Sequence, residues 1–421
     1  MCAQITMNSK LLIGVVSITG AVLAGLFIIW FLFFRAAPAL QTTTQTETGL
    51  GSGTTKSVGT SGSTDTTNNA QPLTGTQASK QKVFKIADGP VTSATFIQTL
   101  YPTTTYARYI LQENGHVLDF PLDTPGALPR ATSNTTIPGT ARAVWSKQGG
   151  STFMQYMDSG IIKTVSLIFP VATSSRQTVG TIQIQFFPNN VSDLAVAPDG
   201  TQVAYLLPNN AGGVDGYLSK PDATASKKLF TLALSEVLIS WPSTNTILLQ
   251  TKSNASSPGV VFSVDVKTGN IIPLLYSPGL TATADRSFTN IVYQTSADGD
   301  SRSSYVHNTK TNKDSALSFD PIPEKCVWST VATSTMYCAM PLTYIPSTYL
   351  DLWHLGAATA VDSIVSFTMG SLNSTEYVAD PGSADGGVAS DILELAVSPD
   401  DKYLLFIKKG DRSLWGVRIT Q

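Results

Sequence analysis

Three histidines are the side chains of this sequence best suited to acid–base or metal chemistry near neutral pH. They are His116, His307 and His354, and none has a second histidine at the spacing of a metal-ligand pair. The sequence also lacks the G-x-S-x-G pattern that presents a nucleophilic serine in α/β-hydrolases. We therefore predict a structural or surface role for each histidine. The same reasoning predicts no catalytic residue, no cofactor-binding residue, no metal ligand and no cofactor.

Carboxylates that could bind a cation fall in predicted turns. The segment Asp298-Gly299-Asp300-Ser301 is compact and acidic, but it lacks the spaced carboxylates and distal Glu of an EF-hand loop. We interpret it as a hairpin turn. The aspartates of the repeat turns receive the same structural interpretation: Asp199, Asp400 and Asp401. Two longer connections, residues 173–180 and 379–387 with Asp380 and Asp385, are candidates for a binding face, because long connections on rigid scaffolds often carry recognition.

The three cysteines give no metal site. Cys2 precedes an apolar segment, whereas Cys326 and Cys338 lie twelve residues apart in the later part of the chain. No second Cys or His pair lies near them, which argues against zinc. Across a β-hairpin the two could form a disulfide in an oxidising compartment. Two separate buried thiols are an equally good interpretation of the sequence.

Composition excludes one class of partner. Charged residues make up 13% of the 421 residues, and the net charge is −2. Phosphate binding needs an excess of basic side chains, so we predict no nucleic-acid partner. Ordinary globular domains carry roughly a quarter charged residues. A surface covered instead by neutral polar groups favours an extracytoplasmic β-protein.

Residues 11–34 read LLIGVVSITGAVLAGLFIIWFLFF and contain no charged side chain. At about 1.5 Å per residue they form a helix of roughly 36 Å, enough to cross a hydrocarbon core of about 30 Å. A cleavable signal peptide is the competing interpretation, but its apolar core is usually shorter. We therefore predict a single transmembrane helix after a short cytoplasmic head, residues 1–10.

The orientation of this helix is inferred from the adjoining segment, residues 35–81. Lys10 and Arg35 flank the two ends of the helix, so the positive-inside rule is nearly balanced. Residues 35–81 are rich in Thr, Ser and Gly and almost free of large apolar side chains. Such a segment cannot bury enough surface to order itself, and it predicts a flexible linker with a typical reach of about 35 Å. We place the N-terminus inside and residues 82–421 outside the cytoplasm.

Residues 82–421 consist of short apolar runs separated by Gly, Pro, Asn and Asp, which is typical of many short β-strands. The clearest internal repeat pairs residues 193–205, DLAVAPDGTQVAY, with residues 394–406, ELAVSPDDKYLLF. Weaker copies place Trp145, Trp241 and Trp328 at one repeat position, where we expect core packing. Residues 349–353, YLDLW, are expected to form a later strand.

Spacing of these copies predicts the architecture. Several neighbouring copies begin about 43 residues apart, and blades of four strands run roughly 40–50 residues. A further unit fits before Trp145, around the turn Glu113-Asn114-Gly115. The sequence therefore predicts an all-β fold, a β-propeller of about seven four-stranded blades. Residues 82–86 are expected to close the ring beside residues 414–419, which would remove exposed sheet edges.

The Ala/Ser-Pro-Asp-Gly/Asp turns at residues 197–200 and 398–401 resemble the WD40-like repeat of TolB-like propellers. The resemblance implies the propeller fold over most of residues 82–421. It leaves function open, since such repeats occur in periplasmic scaffold proteins and beside peptidase domains, and fold does not settle function. Paired immunoglobulin-like sandwiches are the alternative architecture, although they do not explain the regular spacing.

These observations favour a membrane-anchored binding or scaffold module for a protein or an envelope polymer. The alternative is an envelope enzyme, a glycan lyase or hydrolase, with its site in the funnel of the propeller. A surface protein without a specific ligand is a third interpretation. Convergence of carboxylates and histidines in the funnel would favour the enzyme.

Overall fold

The computed structural model describes residues 81–419, apart from residues 101–102, 125–126, 171–180, 297–300, 386–387 and 389. The predicted head, transmembrane helix and linker up to residue 80 lie outside the described residues. So do most of the acidic turn at 298–301 and the whole connection at 173–180. Within the described ranges, no helix is both long and apolar enough to cross a membrane.

Seven antiparallel sheets of four strands form the blades of a β-propeller, as the repeats predict. Blades 1 and 2 contain, from the innermost strand outward, β2 (Val91–Leu100), β3 (Thr103–Leu111), β4 (Val117–Pro121) and β5 (Arg130–Ser133), then β6 (Arg142–Trp145), β7 (Ser151–Asp158), β8 (Ile161–Ile168) and β9 (Gln183–Phe186). Blades 3 and 4 contain β10 (Asp193–Val196), β11 (Val203–Pro208), β12 (Val214–Ser219) and β13 (Lys227–Leu232), then β14 (Val237–Ser243), β15 (Thr246–Thr251), β16 (Pro258–Asp265) and β17 (Ile271–Pro278).

The remaining blades have the same order. Blades 5 and 6 contain β18 (Thr281–Ala284), β19 (Asn290–Thr295), β20 (Ser303–Asn308) and β21 (Lys313–Ala316), then β22 (Cys326–Trp328), β23 (Thr335–Pro341), β24 (Asp362–Thr368) and β25 (Glu376–Ala379). Blade 7 contains β26 (Ile392–Val397), β27 (Tyr403–Lys408), β28 (Leu414–Arg418) and β1 (Val83–Ala87). The helical elements described are α1 (Tyr349–His354) and three short 3-10 turns, Lys147–Gly149, Pro323–Lys325 and Ser383–Asp385.

Strand β1 closes the ring, which confirms the prediction for residues 82–86. It pairs with β28 and becomes the outermost strand of blade 7. Phe84 lies opposite Gly416 in this pair, and a Cβ at residue 416 would come within 2.5 Å of the Phe84 ring. Blade 3 repeats the arrangement with Phe230 over Gly216. Glycine is required at these two positions because the ring fills the space of a side chain.

The core lies between blades. One apolar cluster joins Leu206 of blade 3 to Ile247 and Leu249 of blade 4, and another joins Leu405 of blade 7 to Ala107 and Tyr109 of blade 1. Each blade therefore covers its apolar faces with its two neighbours, which is why the repeats must stack around an axis. The immunoglobulin-like alternative is wrong.

The recurring tryptophans lie at or near the ends of innermost strands, at the repeat position that the sequence indicates. Trp241 and Trp328 are buried and belong to core clusters, and Trp145 is partly buried against another cluster. The core role predicted for them is confirmed. Cys326 and Cys338 face each other across β22 and β23 and form a disulfide, so the two thiols are joined.

Residues 349–353 form helix α1, and the strand predicted there is wrong. The actual second and third strands of blade 6 are β23 and β24, and α1 lies in the connection between them. Tyr349, Leu350 and Trp353 pack toward Ile322 and Ala360. Spacings of one and four residues place these side chains on one helical face, whereas the sequence YLDLW without its partners looks like an alternating strand.

Candidate functional site

The three histidines do not converge. His116 contacts the Thr136 hydroxyl in blade 1, with 3.3 Å between Nε2 and Oγ1. His307 lies on β20 of blade 5, with Nδ1 3.0 Å from Asp314 Oδ1. His354 lies on α1, attached to blade 6. None occupies an innermost strand, so none lines the funnel through its own strand position.

A long connection of blade 6 forms a cap on one face of the propeller. We define the cap as residues 342–361, which join β23 to β24 and contain α1. Antiparallel strands place this connection on the same face as the segments that lead into each innermost strand. The helix is short, so its position depends on contacts with the blades rather than on its own stability.

A buried ionic cluster holds the cap from below. The Lys325 side chain is 1% exposed, and its Nζ lies 2.8 Å from Asp362 Oδ2 and 2.6 Å from Asp391 Oδ1. The same ammonium donates a hydrogen bond of 3.3 Å to the Tyr349 hydroxyl of α1. Burial raises the pKa of Asp362. Because buried charges must be compensated, this cluster fixes Tyr349 to the base of blade 6.

Trp353 provides the second attachment. Its Nε1 donates to Asp391, with distances of 3.0 Å to Oδ1 and 2.9 Å to Oδ2. The Lys409 ammonium of blade 7 donates to the carbonyl oxygens of Trp353 and Ala358 at 2.9 and 2.7 Å. It also lies 4.7 Å from the centre of the Trp353 ring, a cation–π geometry. The cap is thus tied to blade 7 as well as to blade 6.

Two further contacts extend across blades 5 and 4. His354 Nε2 lies 2.6 Å from Glu324 Oε2, and this hydrogen bond raises the pKa of His354. The Asp351 carboxylate accepts a hydrogen bond of 3.1 Å from the backbone N–H of Ala255 in blade 4. Contacts from blade 7 to blade 4 therefore hold the cap in one position.

The outer side of the cap is apolar. Fourteen large hydrophobic side chains are exposed in the described part of the chain, and five of them lie in two connections: residues 342–361 within blade 6, and residues 380–391 between blades 6 and 7. We call these five residues the cap surface: Leu342, Tyr344, Leu352, Leu355 and Val388. Apolar side chains grouped on a rigid support are typical of interaction sites.

An acidic side chain marks the axial channel on the same face. Glu394 lies on β26 and has a positive φ of 47° beside an irregularity in the β26–β27 pairing. Glu394 is exposed to solvent, yet the protein atoms around it raise the pKa of its carboxyl, against a hydrogen bond from Ser93 and the charges of Arg412 and Arg142. Since Ser93 and Arg142 belong to blades 1 and 2, the Glu394 side chain points into the channel.

The buried carboxylate of Asp193, which also contacts Arg142, is already engaged by other groups. Asp193 Oδ1 lies 2.5 Å from Arg142 Nη1, and its Oδ2 accepts a hydrogen bond of 2.8 Å from the N–H of Ile239. At the opposite face, a cavity of about 370 Å³ touches blades 1, 2, 5, 6 and 7 and therefore lies on the axis; Lys147 and Arg286 line it. Within the described ranges, no three His, Cys, Asp or Glu side chains are grouped as metal ligands.

The turn aspartates have structural partners. Asp199 accepts hydrogen bonds from the N–H and the hydroxyl of Thr201. Asp401 binds the Thr330 N–H at 2.9 Å and so joins blade 7 to blade 6. Asp380 accepts a hydrogen bond from the N–H of Gly382 in its own connection.

The sequence did not indicate Lys325, Asp362, Asp391 or Glu394 as site residues. The three members of the ionic cluster are separated by 29 residues or more along the chain. The only sequence signal is weak: Lys325 and Asp391 each stand directly before an apolar strand, and Asp362 begins one. Glu394 is the acidic residue of the second repeat copy, and its equivalent in the first copy is Asp193.

No protein-family model matches the chain, and no curated protein matches it. A solved structure described as an oligogalacturonate lyase in complex with manganese is 11% identical, with a TM-score of 0.55, over 80% of this chain and 93% of that chain. The likeness is one of fold.

Two further solved structures are similar to this chain at lower TM-scores. TolB from Acinetobacter baumannii is 10% identical over 78% of this chain and 63% of its own, with a TM-score of 0.39. The β-propeller domain of the Trilobed protease from Pyrococcus furiosus is 11% identical over 61% and 73%, with a TM-score of 0.41. The neighbours thus include both enzymes and a TolB protein.

Proposed function

We propose that this chain is a binding module that docks a partner protein on the cap surface. The observation that carries the proposal is that Leu342, Tyr344, Leu352, Leu355 and Val388 are exposed on the two connections that follow β23 and β25 of blade 6. Removing apolar surface from water drives most protein association. A polar envelope polymer has little apolar surface to offer, so the cap surface favours a protein over a polymer.

The attachment of the cap supports this role. A loop that becomes ordered only when it binds has a lower affinity, because ordering the loop costs entropy. Here Tyr349 and Trp353 are fixed from below by Lys325 and Asp391. The cap surface is therefore preorganised before the partner arrives.

We also propose that the propeller is held outside the cytoplasm by residues 11–34, with residues 35–81 as a flexible linker. The disulfide between Cys326 and Cys338 supports an oxidising compartment, because cytosolic thiols are usually kept reduced. The uncharged length of residues 11–34 supports the membrane anchor. Together they describe a propeller that searches for its partner within the reach of its linker.

A matched pair of leucines tests the docking site. Leu355 on the cap surface is 80% exposed, and Leu128 in blade 1 is 82% exposed away from the cap. The full-length chain is used to capture partners from envelope extract, and the affinity for the purified partner is then measured. Burying a leucine contributes about 2 kcal/mol, so L355E is expected to weaken binding at least tenfold and L128E to leave it unchanged. Equal affinities for both variants would refute the proposed site.

A glycan lyase or hydrolase in the funnel is the second candidate, and Glu394 is the observation that favours it. A carboxyl with a raised pKa can act as a general acid near neutral pH. Glycosidases usually need a second carboxylate, however, and Asp193 is engaged by Arg142 and the Ile239 N–H. Release of oligosaccharides from envelope polysaccharide by the full-length chain, abolished in E394Q, would establish the enzyme. No release by the wild-type chain removes this candidate.

A further inference from the structure

The ionic cluster beneath the cap brings an amine and two carboxyls into contact in a nearly dry site. Lys325 is 1% exposed and the Asp362 side chain is fully buried. The amine nitrogen lies 2.8 Å from Asp362 Oδ2 and 2.6 Å from Asp391 Oδ1. The Tyr349 and Trp353 rings flank the amine at 5.7 and 5.1 Å. Such proximity gives an intramolecular reaction a large entropic advantage.

We propose that Lys325 and Asp362 become joined by an intramolecular amide bond, with Asp391 as the base that promotes it. The amide is a covalent self-modification of the folded chain. It needs no cofactor and no second substrate.

The reaction is a condensation that balances internally. Asp391 takes a proton from the Lys325 ammonium, and the neutral Nζ attacks Cγ of Asp362. The new N–C bond forms, and the bond from Cγ to Oδ1 breaks. Oδ1 leaves as water. The two protons of this water come from the Lys325 ammonium, one directly and one by way of Asp391. The products are a neutral amide and one water molecule, and Asp391 is regenerated as a carboxylate.

The two carboxylate oxygens of Asp362 differ in their hydrogen bonds, and this difference determines which oxygen can leave. Oδ2 accepts a hydrogen bond of 2.8 Å from the N–H of Ile392, which can stabilise the oxygen that stays in the amide. Oδ1 is buried and has no hydrogen-bond partner within the described part of the chain. Oδ1 can therefore leave without breaking a contact. The raised pKa of Asp362 favours transfer of one ammonium proton to this carboxylate, which gives the neutral carboxyl that an amine attacks.

Asp391 has further polar partners besides Lys325. Its oxygens accept hydrogen bonds from Trp353 Nε1 and from the N–H of Ala360, and Lys409 Nζ lies 3.7 Å away. Before the reaction the site holds the charges of Lys325, Lys409, Asp362 and Asp391. Afterwards Lys409 and Asp391 compensate each other. The reaction thus removes two buried charges whose desolvation is costly.

The amide would close the chain at the base of the cap. Lys325 immediately precedes β22, and Asp362 is the first residue of β24. The closed loop would contain the whole cap and the disulfide-bonded hairpin. The amide would keep the starts of β22 and β24 together even when the helix opens.

Peptide mapping of the purified full-length chain tests the proposal. After reduction, trypsin should fail to cut behind Lys325, because an amidated lysine is not recognised. The product should span residues 314–402, since the next lysine or arginine after 325 is Lys402, with a mass one water molecule below that of the sequence. Cleavage behind Lys402, whose exposed ion pair with Asp400 is 3.0 Å long, is the control within the same digest.

Two variants distinguish the chemistry from a simple ion pair. D391N keeps the amine and the electrophile but removes the base, and it should restore cleavage behind Lys325. D362N should link more slowly, with loss of ammonia in place of water. Should the wild-type peptide instead end at Lys325 with its full mass, the amide does not form and the cluster is an ion pair only. That result comes from the wild-type chain and requires no variant to fold.

Discussion

Phe84→Ala should destabilise the propeller strongly, because Phe84 lies in the strand that closes the ring. The side chain is 1% exposed and rests on Gly416, which has no Cβ to fill a gap. Truncating a buried phenylalanine costs about 3–5 kcal/mol, and the cost is highest where the site cannot collapse. We therefore expect the upper half of that range.

Phe186 supplies a matched control. It also lies on the outermost strand of a blade, β9 of blade 2, but it is 65% exposed. Phe186→Ala should change the free energy of unfolding by no more than about 0.5 kcal/mol. Both variants are unfolded in urea, and the midpoint is compared at unchanged slope. If Phe84→Ala costs less than about 1 kcal/mol, β1 does not close the ring and the account of the fold is wrong.

Three further predictions concern contacts between blades and cap. The pKa of His354 is raised from 6.5 by Glu324, so its ion pair is fully present below pH 6.5 and is lost as the pH rises through the raised value. The thermal stability of the wild type should therefore exceed that of H354Q by a margin that shrinks over this pH range. This margin stays below about 1 kcal/mol, because the pair is partly exposed. A margin that grows with pH would contradict this. D401A removes the hydrogen bonds to Thr330 and should cost about 2 kcal/mol in urea unfolding, whereas an effect near zero would show that this bridge between blades 6 and 7 does not contribute. Reducing the Cys326–Cys338 disulfide, which spans 12 residues, should lower the free energy of unfolding by about 3 kcal/mol through chain entropy. The control is a variant with serine at both positions, whose stability should not respond to reductant. A wild-type stability that reductant leaves unchanged would contradict this contribution.

The propeller could be predicted because its determinants are local and repeated. Five of the seven blades carry a Pro-Asp turn or a tryptophan at the repeat position, and residues 193–205 and 394–406 are similar enough to align without a structure. Ring closure could be inferred from the need to cover sheet edges. Helix α1 could not be predicted, since its six residues become helical by packing on Ile322 and Ala360, which lie outside the helix.

The residues of the candidate site could not be predicted from the sequence, for a different reason. Lys325, Asp362 and Asp391 look individually like surface charges, and only the stacking of blades 6 and 7 brings them together. In the sequence, Glu394 is only the acidic residue of a repeat. Its position in the channel cannot be predicted from the repeat, because it depends on contacts with blades 1 and 2. Leu352 of the cap surface looks like a strand residue, because the sequence predicts a strand at residues 349–353. The burial of charged groups and the exposure of apolar groups are properties of the assembled ring. No short sequence pattern predicts either of them.

Hydrogen–deuterium exchange of the full-length chain with and without its captured partner addresses the docking site most directly. We predict slower exchange in residues 342–361 on binding, with the blade 1 connection around Leu128 unchanged. Protection confined to the opposite face, or to the outer strands, would contradict the cap surface as the place where the partner binds.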